Sequence, residues 1–145
     1  MTTFTSSITG SVRVQTALAV PGQPNRTLGL AEIGGTQNTS DPNWNNARVE
    51  YCGSSDLVNG QGPQHGYFCN DHGDGNRDFG SYEGKVTTNG AEINVNGTWT
   101  FTGGTGTFSG ITGKGSFTSK IAADGRVTGT VQGTYELAAK TAQAR

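Results

Sequence analysis

The sequence predicts an all-β chain, an eight-stranded antiparallel β-barrel, and three observations carry that expectation. Short blocks of residues alternate between apolar and polar, which is the period of a strand with one dry face. Hairpin-forming dipeptides, Asn59-Gly60, Asn89-Gly90 and Asp124-Gly125, punctuate the blocks. Glycine makes up 24 of the 145 residues, and glycine on strands suits a tightly curved sheet. No helical segment separates the blocks, so neighbouring strands pair antiparallel. Closure into a barrel is preferred to an open sandwich because it removes exposed edges.

Taken in order, residues 4–14 set Phe4, Ile8, Val12 and Val14 on one side of a first strand. Pro21, Gly22 and Pro24 mark a turn. A second strand over 26–33 groups Leu28, Leu30 and Glu32 on one face, with Thr27, Gly29, Ala31 and Ile33 on the other. Residues 34–46, polar and carrying Pro42 and Trp44, read as the longest irregular connection. The third strand, 48–52, turns Val49 and Tyr51 one way and Arg48, Glu50 and Cys52 the other. A loop over 56–64 leads to a short aromatic strand, 65–70, and a polar turn, DHGDGN, at 71–76. The fifth strand covers 77–88, and the sixth places Ile93, Val95, Trp99 and Phe101 on one face. Strand seven runs near 113–122, and strand eight aligns Val127, Val131, Tyr135 and Leu137. The alanine-rich tail, 136–145, favours a short C-terminal helix.

The length is that of a single domain, 1–145, able to bury a core. A net charge of −1 with no basic run argues against nucleic acid and against anionic membrane surfaces as partners. No apolar run approaches the roughly 20 residues of a membrane span, and the first residues lack the regions of a signal peptide. The expectation is therefore a soluble, cytoplasmic protein. Cys52 and Cys69 are then expected as free thiols, since a reducing compartment opposes disulfides.

The run GTWTFTGGTGTFSGITGKGSF, residues 97–117, resembles the allene oxide cyclase and dirigent-protein superfamily, where a strand enters a G-G-T/S-G-x-F-x-G-x-x-G turn before the next strand. Gly103, Gly104, Gly106, Phe108, Gly110 and Gly113 fill that pattern. The resemblance implies an eight-stranded barrel around an apolar cavity, assembled as a homodimer or homotrimer. It also implies a cyclase or isomerase activity with no organic cofactor. The short N-terminal region and the segment YFCNDHGDGNRDFGSYEGK depart from the plant members, and no plant catalytic residue maps onto this chain.

The expected chemistry is a cofactor-independent isomerase or cyclase acting on an apolar small molecule, with a non-catalytic barrel for a hydrophobic ligand as the alternative. Glu32, on the face of Leu28 and Leu30, is the candidate acid/base, because a carboxylate at an apolar pocket is desolvated and its pKa rises. Tyr51 is its candidate partner, a hydroxyl able to orient a carbonyl or stabilise an enolate. Leu28, Leu30, Val49, Tyr67, Phe68, Trp99 and Phe101 are the expected cavity wall. Asn70, His72, Asp74 and Gly75 match the first half of a calcium-loop spacing, with Asp78 at a later position, but Ser81 stands where the closing glutamate belongs. Neither zinc spacing nor a phosphate loop is present, so no metal is expected and the 71–76 turn is read as solvated.

Overall fold

Asn59 and Gly60 both adopt positive φ, 54° and 77°, the handedness that a two-residue hairpin loop needs to follow the strand twist. Repeated along the chain, such connections fold it into a meander. The computed structural model describes residues 1–39, 41–44 and 46–138. Its strands are β1 (Thr2–Ala19), β2 (Arg26–Thr39), β3 (Arg48–Val58), β4 (Gly62–Asp71), β5 (Arg77–Asn89), β6 (Glu92–Thr105), β7 (Thr112–Ile121) and β8 (Arg126–Glu136). Each pairs antiparallel with the next, and β1 pairs with β8 from Thr2↔Tyr135 to Ser11↔Arg126, closing the barrel.

One end, the hairpin end, carries the connections at 20–25, 59–61, 90–91 and 122–125. The other, the plugged end, carries 41–44, 46–47, 72–76 and 106–111. There Trp44 is wholly buried. It stacks on Phe4 at 5.1 Å between ring centroids and meets Tyr135 at 4.4 Å and Phe108 at 5.4 Å. A loop tryptophan thus closes the barrel and joins the core.

The interior alternates large rings with glycine, as a narrow barrel requires. A Cβ on Gly133 would lie 2.6 Å from Trp99 Cζ2, and one on Gly115 2.7 Å from the same atom. The two glycines pair across β7 and β8 and leave the space that the Trp99 indole fills.

Several boundaries differ from expectation. β2 continues to Thr39, so half of the expected 34–46 connection is strand, held by Gly35↔Gly10 and Thr36↔Arg48. β3 and β4 likewise extend into the expected 56–64 loop. A bulge between Val12 and Val14 reverses the alternation of β1. Phe4 and Ile8 consequently face inward, whereas Val14 is exposed. In the expected helical tail, Glu136 ends β8, residues 137–138 are irregular, and 139–145 lie outside the described residues. Cys52 and Cys69 are free thiols. No helix among the described residues is long and apolar enough to cross a membrane.

Candidate functional site

Inside the barrel lies a cavity of about 100 Å³ whose wall is mostly apolar, including Ile8, Val95, Phe117, Val127 and Val131. Its size is of the order of the roughly 150 Å³ engineered cavity that accepts benzene, and smaller than the roughly 300–1,000 Å³ of common ligand sites. Trp44 borders it toward the plugged end, and Gln37 and Asn70 contribute carboxamides beside it.

Those two residues belong to a buried hydrogen-bonded chain that joins four strands and a turn. Ser6 Oγ donates to Gln37 Oε1 at 2.6 Å, and Gln37 Nε2 donates to Asn70 Oδ1 at 2.7 Å. Asn70 Nδ2 donates to Asp78 Oδ1 at 2.7 Å, and Asp78 Oδ2 lies 2.6 Å from His72 Nε2. Ser6, Gln37, Asn70 and Asp78 are all buried, Asp78 completely. Burial pushes the Asp78 carboxyl above the ordinary carboxylate range, opposed by the bonds from His72 and Asn70. Phe108 stacks on the His72 ring at 4.1 Å and Trp44 meets its edge at 5.5 Å. The aromatic plug therefore also fixes the imidazole.

The local sequence explains how the strands assemble this chain. Inward positions of β2 run Ile33, Gly35, Gln37, and those of β4 run Phe68, Asn70. Asn70 pairs with Asp78 across β4 and β5. The turn between them holds His72 N–H to Asn76 O at 2.9 Å, while Asp71 Oδ1 accepts from Gly73 N–H at 3.0 Å. That bond is the main reason the Asp71 carboxyl lies below its usual range.

Of the residues singled out from sequence, Tyr51, Val49, Phe68, Trp99 and Phe101 line the cavity. Tyr51 meets Tyr82 edge-on at 5.8 Å. Its burial pushes the phenol up to about 12, with a Ser119 hydrogen bond acting the other way, so the hydroxyl stays protonated across the neutral range. Leu28, Leu30 and Tyr67 are elsewhere, with 48%, 59% and 71% of their surfaces exposed. Glu32 shares the outer face of Leu28 and Leu30, opposite Val14 and Cys52. The face of β2 is thus the reverse of the expected one, because the strand turns its small residues and Gln37 inward and its two leucines outward. The 71–76 turn is solvated only at its tip, Gly73, Asp74 and Gly75. Among the described residues no cluster of His, Cys, Asp or Glu is arranged to hold a metal.

The class of protein defined by this geometry is a closed β-barrel with a small apolar cavity and a buried polar chain at its wall. No known protein family, curated protein or solved structure matches the chain.

Proposed function

We propose that the protein is a binding barrel for a compact, largely apolar small molecule, held in the interior cavity. The observation that carries the reading is the cavity itself, about 100 Å³ lined by aliphatic and aromatic side chains with the Gln37 and Asn70 carboxamides at its edge. An apolar pocket with a few polar groups is the usual form of a small-molecule site. Membership of the allene oxide cyclase and dirigent superfamily, implied by residues 97–117, is part of the same proposal.

A cofactor-independent isomerase or cyclase is the second reading, and the observation favouring it is Tyr51. Tyr51 lines the cavity and its hydroxyl stays protonated across the neutral range, the form that can donate to charge developing on a carbonyl oxygen. Glu32 has no part in that reading, because it stands on the outer face. Turnover of a bound ligand, abolished in Tyr51→Phe with binding retained, distinguishes catalysis from binding alone.

The test of the binding reading uses ligand-observed NMR with six-membered-ring compounds on the wild type and on Ile8→Phe. The added ring occupies the cavity that Ile8 lines. Binding to the wild type that is lost in a folded Ile8→Phe supports the reading. Absence of binding to the wild type, or equal binding to both, contradicts it.

A further inference from the structure

The buried chain has a direction, and the direction defines what the cavity can recognise. Asp78 Oδ2 shares a proton with His72 Nε2 at 2.6 Å. Whichever of the two carries that proton, Asp78 Oδ1 is left as an acceptor. The Asn70 atom facing it at 2.7 Å is therefore the amide nitrogen, which turns Asn70 Oδ1 toward Gln37. Gln37 must answer with its own nitrogen, at 2.7 Å, and its Oε1 then takes the Ser6 hydroxyl at 2.6 Å. One carboxylate orients two carboxamides and a hydroxyl in series.

An amide nitrogen has two hydrogens. In Gln37 and Asn70 one of these is engaged along the chain, and among the described residues neither nitrogen makes a second side-chain bond. Both carbonyl oxygens already accept a bond, from Ser6 and from Gln37. A buried N–H without a partner is more costly than a carbonyl with a free lone pair. Both residues border the apolar cavity.

We infer that the cavity selects a compact ring or short-chain molecule bearing a hydrogen-bond acceptor and no donor, a ketone or aldehyde oxygen being the simplest case, with Gln37 Nε2 and Asn70 Nδ2 as its donors and Asp78 as the residue that orients them. The inference rests on the binding reading above and adds the ligand's chemistry. An alcohol of the same shape brings a hydrogen that the oriented carboxamides do not need. A hydrocarbon leaves their N–H groups unpaired.

A matched panel tests this: cyclohexanone, cyclohexanol and methylcyclohexane, titrated against the protein and followed by tryptophan fluorescence, since Trp44 and Trp99 border the cavity. One or two net hydrogen bonds should make cyclohexanone bind about tenfold tighter than methylcyclohexane, and tighter than cyclohexanol. Gln37→Met should remove most of that preference while leaving the hydrocarbon affinity in place. Asp78→Asn should narrow the ketone-over-alcohol gap, because an asparagine can present either its oxygen or its nitrogen to Asn70. Each variant is first checked for its folded circular dichroism spectrum. Equal binding of the three compounds to the wild type, or tightest binding of the alcohol, overturns the inferred polarity while leaving the binding barrel standing. No binding of any of them overturns both.

Discussion

Replacing Asp78 by alanine removes the hydrogen-bond partner that two buried polar groups share. The Asn70 amide, 2.7 Å from Oδ1, and the His72 ring, 2.6 Å from Oδ2, lose their partner in a site closed by Phe108 and Trp44. An unsatisfied buried polar group costs about 1–3 kcal/mol, so two of them cost about 2–6 kcal/mol before any offset. The offset is the desolvation penalty of the carboxylate itself, visible in its raised pKa, which the alanine no longer carries. A net loss of about 2–4 kcal/mol is expected. The isosteric Asp78→Asn keeps an acceptor for Asn70 and should lose about 1 kcal/mol. Urea unfolding of the two variants beside the wild type measures both values. A loss below about 0.5 kcal/mol in Asp78→Ala, the range of neutral surface changes, would refute the description of the chain as a buried, hydrogen-bonded network. Equal losses in the two variants would refute it as well, since the acceptor that asparagine keeps for Asn70 would then contribute nothing.

The same residue sets a pH dependence. Its folded pKa is raised, so the native state binds more protons between the ordinary carboxylate value and the folded one, and this group's contribution falls as pH rises through that window. The wild type minus Asp78→Asn stability difference, followed by urea unfolding from acid to neutral pH, should decrease; a rising difference contradicts the assignment. Trp44→Ala should cost about 3–5 kcal/mol, because the ring is wholly buried against Phe4, His72, Phe101, Phe108 and Tyr135; a thermal scan showing an unchanged midpoint would contradict a stabilising plug. Gly133→Ala forces a Cβ to 2.6 Å from Trp99 Cζ2 and 2.5 Å from Lys114 O, and should destabilise by about 1–3 kcal/mol, checked by the urea midpoint. Glu32→Gln should leave ligand affinity within about twofold, as for a surface change; a tenfold loss by titration would place Glu32 at the site after all.

The barrel is legible in the sequence because its signals are local. Alternation in Ile93, Val95, Trp99 and Phe101, together with the Asn-Gly and Asp-Gly dipeptides, marks strands and hairpins that the structure contains. The polar wall of the site is not legible, for two physical reasons. Residues 34–39, Gly-Gly-Thr-Gln-Asn-Thr, have the composition of a turn, and only pairing with β1 and β3 makes them strand. Gln37 is therefore hidden in an expected loop. Asn70, His72 and Asp78 stand out in sequence only as an incomplete metal-loop pattern, since hydrogen bonds between strands leave no spacing signature. Carrying the inward alternation of Ile33 two pairs further reaches Gln37, and carrying that of Phe68 one pair further reaches Asn70. The face of β2 is misleading for a related reason. Hydrophobicity favours Leu28 and Leu30 as the inward set, but Ile33 is the residue buried inside, and strand alternation from Ile33 then leaves both leucines on the outer face.

Everything proposed for this barrel depends on a small molecule binding inside it, beside Gln37 and Asn70. Methyl NMR during titration with cyclohexanone reads the location directly. Shifts are expected at the interior methyl groups of Ile8, Val95, Val127 and Val131, which border the cavity, with those of the exposed Val14, Leu18, Leu28 and Leu30 unmoved. Shifts confined to the outer set, or an interior that stays unchanged as ligand is raised to saturation, would contradict it.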